Sequence, residues 1–189
     1  MQLPLQESSC RGSQFLAFRY AVLELWGEFG WREVTSALDA EARDRLLGAP
    51  VAPIAWVPER HMMALSEAVF AGPAAGGEEA YTHFVTKMIE HGFGRIRRFV
   101  LQLAPPELLL GRAPELWRHD HTHGVLTVSF SGSQATALLR DHDHVRTPLS
   151  RLTAAQAFRA ALERTRAKNV VATHDVDDSG ALEVRLRWS

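Results

Sequence analysis

The chain of 189 residues has a single cysteine, Cys10. One sulfur allows no internal disulfide and no multi-thiolate metal site. Lysine is nearly absent as well: Lys87 and Lys168 stand against nineteen arginines. With the abundant alanine, that bias reads as a GC-rich bacterial genome and not as a binding device. Neither charge sign is in excess, the formal net charge being −1, so nothing drives the chain toward nucleic acid or an anionic membrane. Long apolar runs are missing too. The longest, LLGAPVAPIAWVP, is broken by prolines and falls short of the ~20 residues that span a bilayer. The start, MQLPLQESS, has neither a basic nor an apolar signal region, so a cytoplasmic location is expected. There is no P-loop and no serine nucleophile elbow, and Cys10 has no recognisable catalytic partner. No motif names a reaction.

What is present is a clear division into two halves. Residues 1–13 read as a flexible lead-in, and 14–189 as one α+β domain. In the helical part, about 14–118, Phe15, Phe18, Val22, Leu25 and Phe29 recur at helical spacing and predict a helix over 14–28. Trp31, Val34 and Leu38 predict a second, short helix after Gly30. Asp39 is placed to cap a third that ends near Gly48. Prolines keep APVAPIAWVP out of a helix. Pro58 opens the next helix, with Glu59 set favourably at its positive end and Met62, Leu65 and Val69 on one face. AGPAAGG is a linker. Tyr81, Phe84, Val85, Met88 and Ile89 follow the spacing of a buried helix. Phe93, Ile96, Val100 and Leu103 extend the apolar stripe, and Pro105-Pro106 opens a last helix carrying Leu108, Leu109 and Trp117. The count is five to seven helices.

From about 122 the period changes to two. GVLTVSF and ATALLRD read as strands joined at Gly132-Ser133. TPLSRLTAAQAFRAALERTRAKN holds a helix with Phe158 and Leu162 inward, and NVVATHDV and ALEVRLRW are two further strands. The second half is thus ββαββ, an antiparallel four-stranded sheet over 122–189.

Five of the nine histidines lie in RHDHTHG, residues 118–124, and RDHDH, residues 140–144. A two-residue turn at Gly132-Ser133 fixes a register in which paired residue numbers sum to a constant. Leu126 then meets Leu139, Val128 meets Ala137 and Phe130 meets Ala135, which makes one face apolar. Continued outward, the same register sets His123 opposite His142 and His121 opposite His144, with Cβ atoms about 5 Å apart. Four imidazoles, His121, His123, His142 and His144, would form a rectangle suited to zinc or another divalent ion. Asp120, Asp141 and Asp143 would point to the other face. The same histidines also fit a solvated loop or a coupled, pH-responsive patch. Elsewhere, Arg95, Arg97 and Arg98 in GFGRIRR fit a solvated basic face better than a phosphate site. His61 beside Met62 and Met63 fits a helix surface better than a pocket. Glu115, Trp117 and Arg118 form a candidate partner-facing edge.

The order of several helices followed by ββαββ resembles the ligand-binding fold shared by three groups: heme nitric-oxide/oxygen-binding domains, vinyl-reductase-type sensor domains, and the small subunits of the transport-protein particle that tethers Golgi vesicles. Lys168-Asn169-Val170 and the closing run Val184 to Trp188 are similar to the ends of a set of uncharacterised myxobacterial paralogues. The resemblance implies a pocket between helices and sheet, to which Phe84, Met88 and Phe99 would contribute. Its heme branch grips the propionates with a Tyr-x-Ser-x-Arg triplet. Neither Tyr20 nor Tyr81 begins one, so heme is not expected, and no other cofactor is indicated. The leading expectation is a non-enzymatic regulatory module that binds a small molecule or a protein partner and acts through a shift between conformations. The alternatives are a metal-binding protein or metal-dependent hydrolase using the four histidines, and an assembly subunit that forms a homodimer.

Overall fold

The computed structural model describes residues 7–93 and 102–189. The expected helix positions Ile96 and Val100, the arginines of GFGRIRR and the pocket candidate Phe99 lie outside the described residues. Among those described, six helices precede or interrupt a four-stranded antiparallel sheet, and a two-stranded ribbon ties the start of the chain to the helical part. This is the α+β layout expected from the sequence. No helix among the described residues is long and apolar enough to cross a membrane.

The expected lead-in is structured from Ser9 onward. Strand β1, Ser9–Arg11, pairs antiparallel with β2, Trp56–Pro58, so that Cys10 sits opposite Val57. Both are fully buried, and burial pushes the Cys10 thiol well up, which leaves it inert. Gly12 follows at once because a Cβ there would meet the Ala52 carbonyl at 2.2 Å.

Helix α1, Gly12–Ser36, consists of two helical segments, as the spacing suggested, but they meet at a kink at Gly27 and not at Gly30. Gly27 has φ 64° and ψ −164°, outside the helical region. The break turns the second part of the helix about its axis. Phe15, Phe18 and Val22 are buried before it and Trp31 and Val34 after it, while Phe29, on the extrapolated stripe, is 75% exposed. Helix α2, Ala40–Leu47, begins as expected: the Asp39 carboxylate accepts from the Ala42 N–H, and Gly48 closes the other end.

Helices α3, Glu59–Ala71, and α4, Glu78–Gly92, pack on α1. Leu65, Val69, Tyr81, Phe84 and Val85 are fully enclosed, and the Phe18 and Phe84 rings meet edge to face at 4.8 Å. Truncating one of these large side chains to alanine is expected to cost about 2–5 kcal/mol. Helix α5, Pro106–Asp120, buries Leu110 and leaves Leu108 half exposed.

In the sheet, β3 (Val125–Ser131), β4 (Gln134–Arg140), β5 (Val171–Val176) and β6 (Leu182–Arg187) lie in the order β3-β4-β6-β5. The hairpin register is the expected one, Leu126 with Leu139, Val128 with Ala137 and Phe130 with Ala135, about a turn whose Gly132 has φ 54°. Leu126, Ala137, Leu139, Leu182, Val184 and Leu186 form the inner face. Helix α6, Pro148–Leu162, starts in a reciprocal cap between Thr147 and Ser150 and packs over β5. The backbone of Lys168 pairs with that of Ser189 through two hydrogen bonds, which closes the sheet's end. Among the described residues there are therefore two apolar clusters, one within the helices and one between sheet, α5 and α6. The Tyr81 hydroxyl and Thr153 share a buried hydrogen bond of 2.7 Å between α4 and α6.

Candidate functional site

The ladder of β3 and β4 ends at Val125 and Arg140. Just beyond it Gly124 has φ 87° and Asp141 φ 54°, so both chains leave the sheet direction. His123 and His142, and His121 and His144, are not strand pairs, and the rectangle on the open sheet face does not form. The reason is local. Left-handed residues at both ends turn the flanking segments inward before another pair can be added.

Three of the four histidines nonetheless meet, in the interior. His121 follows the end of α5, His142 precedes a short 3₁₀ turn over Asp143–Val145, and His144 lies within that turn. The rings of His121 and His142 stand 5.2 Å apart at their centroids, and those of His142 and His144 stack at 4.8 Å. The His123 ring bonds only the hydroxyl of Thr122, while its carbonyl accepts from the indole N–H of Trp117. Asp143 pairs with Arg146, and Asp120 with His119.

Where His123 was expected, α3 supplies Glu59. This residue is 2% exposed, and the ring proton on Nδ1 of His121 is donated to its Oε1 at 2.6 Å. The ribbon explains the meeting. Cys10 bridges His121 on one side and pairs with Val57 on the other. The Glu59 N–H donates to Ser8, and the Thr122 N–H to Ser9. One short strand thus holds together two positions 62 residues apart in sequence.

The hydrogen bonds also set the protons. Gln14, in the first turn of α1, lies with its amide nitrogen 3.1 Å from Nε2 of His121. The amide donates, so Nε2 is the acceptor and the ring proton is on Nδ1, facing Glu59. In His142, Nδ1 accepts the His144 N–H at 3.1 Å, which puts its proton on Nε2. That nitrogen is 3.4 Å from Glu59 Oε1, a long contact and not a formed hydrogen bond, and it has no other partner among the described residues although the side chain is fully buried. Each ring keeps one accepting nitrogen, so both are neutral and the centre holds one negative charge. Burial alone would push the Glu59 carboxyl up. The facing imidazoles of His121 and His142, with His144 behind them, outweigh burial and hold it well below the usual carboxylate range. Burial drives His144 the other way, down to about 3, which keeps it neutral; its Nδ1 is enclosed without a partner.

Trp117 roofs the cluster. Its indole lies flat on His121, with centroids 3.9 Å apart and planes 9° from parallel. The His121 N–H, at the extended residue that ends α5, donates to the Trp117 carbonyl and holds the two residues together. Trp117 therefore faces inward, and only Glu115 and Arg118 of the expected partner edge are open to solvent. His61 is buried in α3, away from the cavity that Met62 and Met63 line.

That cavity adjoins the cluster. It has a volume of about 280 Å³, lies among α1, α3, α4, α5 and α6, and is walled by Phe18, Met62, Met88, Leu149, Ala157 and Phe158. Its polar end is made by Gln14, Glu59, His121 and His144. Of the expected pocket residues, Met88 is at the wall, while Phe84 is enclosed in the core.

No family model matches the sequence, and no curated relative was found by sequence. Solved structures do match across nearly the whole chain. An H-NOX protein from K. algicida, in its Fe(II) unliganded form, superimposes with a TM-score of 0.65 at 12% identity over 95% of this chain and 96% of its own. An H-NOX protein from S. oneidensis in the Fe(II) state gives 0.67 at 11% identity, over 95% and 96%. An oxygen-binding H-NOX domain related to soluble guanylate cyclases gives 0.62 at 10% identity, over 95% of both chains. The described residues do not fit a heme. A tryptophan lies flat against His121, and the described cavity wall holds Glu59, Glu67 and Asp120 but no arginine or lysine to meet propionates. What this chain shares with H-NOX domains is the fold, as its element order indicated.

Proposed function

We infer that the chain is a non-enzymatic binding module that takes a small, largely apolar molecule into the cavity, which lies among the helices and not, as the resemblance implied, between helices and sheet. The observation that carries this reading is the cavity itself: about 280 Å³ with an apolar wall and one polar end. That is the usual composition of a small-molecule site, near the lower limit of the ~300–1,000 Å³ such sites occupy. Oxygen of a hydroxyl or carbonyl would meet the Gln14 amide, and the ring or alkyl part would lie on Met62, Met88 and Phe158. The cavity is bounded by both apolar clusters. A ligand that touches both shifts whatever equilibrium exists between their arrangements, in proportion to its preference for one of them. This is the logic of a sensor, and no nucleophile or general base is needed for it.

The test is ligand-observed NMR with a panel of single-ring arenes, phenols and benzylic alcohols, on the protein and on Ala157→Phe. Ala157 lines the cavity from α6, and the added ring fills it. Saturable binding that the variant abolishes, with its melting temperature kept, supports the reading. Binding that Ala157→Phe leaves intact, or no binding across the panel, contradicts it.

A further inference from the structure

The cluster at the polar end contains more donor chemistry than a hydrogen-bonding wall requires. Glu59, His121 and His142 each offer one ligand atom, and these atoms lie within 4.8 Å of one another. All three side chains are nine-tenths or more buried, and they come from three separate segments: the start of α3, the end of α5 and the turn after β4. Nothing in the packing of an ordinary core calls for two imidazoles and a carboxylate here. His142 Nε2 is moreover directed at the carboxylate with no hydrogen bond of its own, and buried polar atoms without partners are rare in native proteins.

We propose that Glu59, His121 and His142 bind one divalent transition metal ion, with zinc or cobalt as fitting occupants. Two imidazoles and one carboxylate are a ligand set that borderline ions favour over magnesium or calcium. The single negative charge of the metal-free centre meets a dication without any further buried anion. Three protein ligands leave a coordination position open, and Glu59 and His121 both border the cavity, so the open position faces the space that a small molecule or water occupies. The site does not depend on the cavity holding an organic ligand.

Binding rearranges protons without loss or gain. His121 would ligate through Nδ1, and its proton moves to Nε2. Gln14 then turns its amide over and accepts with its carbonyl oxygen, so the same residue supports either state. His142 would ligate through Nε2, and its proton moves to Nδ1. That nitrogen now accepts the His144 N–H, so this bond must break and the turn over Asp143–Val145 must adjust. Metal binding is thereby tied to one identifiable backbone amide. His144, stacked on His142, moves with it.

The experiment is titration of Co²⁺, followed by its visible absorption, into untagged, chelator-treated protein. Calorimetry with Zn²⁺ and amide NMR with diamagnetic Zn²⁺ accompany it. One ion per chain is expected. His121→Ala and His142→Ala are each expected to weaken binding more than a hundredfold, and Gln14→Ala about 10–100-fold as a residue that orients a ligand. His123→Ala should change nothing. Circular dichroism shows whether each variant is folded. Should a ligand variant fail to fold, the wild-type protein still decides, because one equivalent of Zn²⁺ must shift the His144 amide. Fewer than half an ion per chain, an equal effect of His123→Ala and His121→Ala, or an unmoved His144 amide overturns the proposal.

Discussion

Replacing Glu59 by leucine tests whether the cluster is one coupled unit. In the metal-free protein the carboxylate accepts the Nδ1–H of His121 at 2.6 Å and faces the Nε2–H of His142 at 3.4 Å. Leucine fills similar space but accepts nothing. Each buried donor left without an acceptor costs about 1–3 kcal/mol. Against this stands the release of a desolvated carboxylate, a gain that usually falls short when one partner alone is removed from a buried polar set. Only the His121 donor loses a formed hydrogen bond, so the net expectation is a loss of about 1–3 kcal/mol. Glu59→Gln keeps an oxygen where Oε1 lies and should lose less than half as much. The assay is urea unfolding of chelator-treated protein, followed by tryptophan fluorescence and by far-ultraviolet dichroism, with coincident curves required before free energies are compared. A double-mutant cycle of Glu59→Leu with His121→Phe should return a coupling of about 0.5–3 kcal/mol. A leucine variant within about 0.5 kcal/mol of wild type, the range of ordinary surface changes, would refute the reasoning, as would a glutamine variant as damaged as the leucine one.

Acid should weaken the metal-free fold in a defined window. Burial, with Glu59 opposing it, holds His144 at about 3 in the folded chain against 6.5 when unfolded. Between those values the unfolded state binds the extra proton, so stability falls by about 1.4 kcal/mol per unit as pH drops below 6.5. Above 6.5 this contribution is flat. Glu59, held low in the fold, adds a loss of the same sign once pH falls through its ordinary value of 4.5; equal urea midpoints at pH 7.5 and 5.5 would contradict the His144 part. Gly124→Ala should destabilise by about 1–3 kcal/mol, because φ is 87° and a Cβ would stand 3.0 Å from both His142 and the Trp117 nitrogen. Gly180→Ala, at φ 79° with nothing within 4 Å, should cost less in the same unfolding assay. Asp39→Ala removes the cap of α2 and should lower stability by about 1 kcal/mol.

The hairpin was legible in the sequence because alternation and turn chemistry agree there. Leu126, Val128 and Phe130 match Leu139, Ala137 and Ala135 in one register only, and Gly132 supplies the positive φ that this turn requires. The final strand was legible for the same reason, with Leu182, Val184 and Leu186 inward. The site was only half legible. That the two histidine runs approach each other follows from the hairpin. That they do so in the interior follows from Gly124 and Asp141, of which the glycine was a visible signal and the aspartate was not. Glu59 was hidden for a different reason. After Pro58 a glutamate reads as a residue that complements the helix dipole, and nothing local shows that a ribbon through Cys10 will carry it to His121. Trp117 left only part of a signal: it stands four residues before His121, but the stack depends on His121 being the extended residue that ends the helix. Phe29 misled because a single glycine two residues earlier resets the helical face.

Glu59, His121 and His142 are proposed as one open binding centre beside the cavity. Crystals of the untagged protein grown with zinc, and diffraction recorded on both sides of the zinc absorption edge, test it most directly. One anomalous peak per chain is expected, about 2.0–2.2 Å from His121 Nδ1, His142 Nε2 and a Glu59 oxygen, with the His144 N–H turned away from His142. A peak at surface histidines alone, with the His121–Glu59 hydrogen bond still at 2.6 Å, would contradict it.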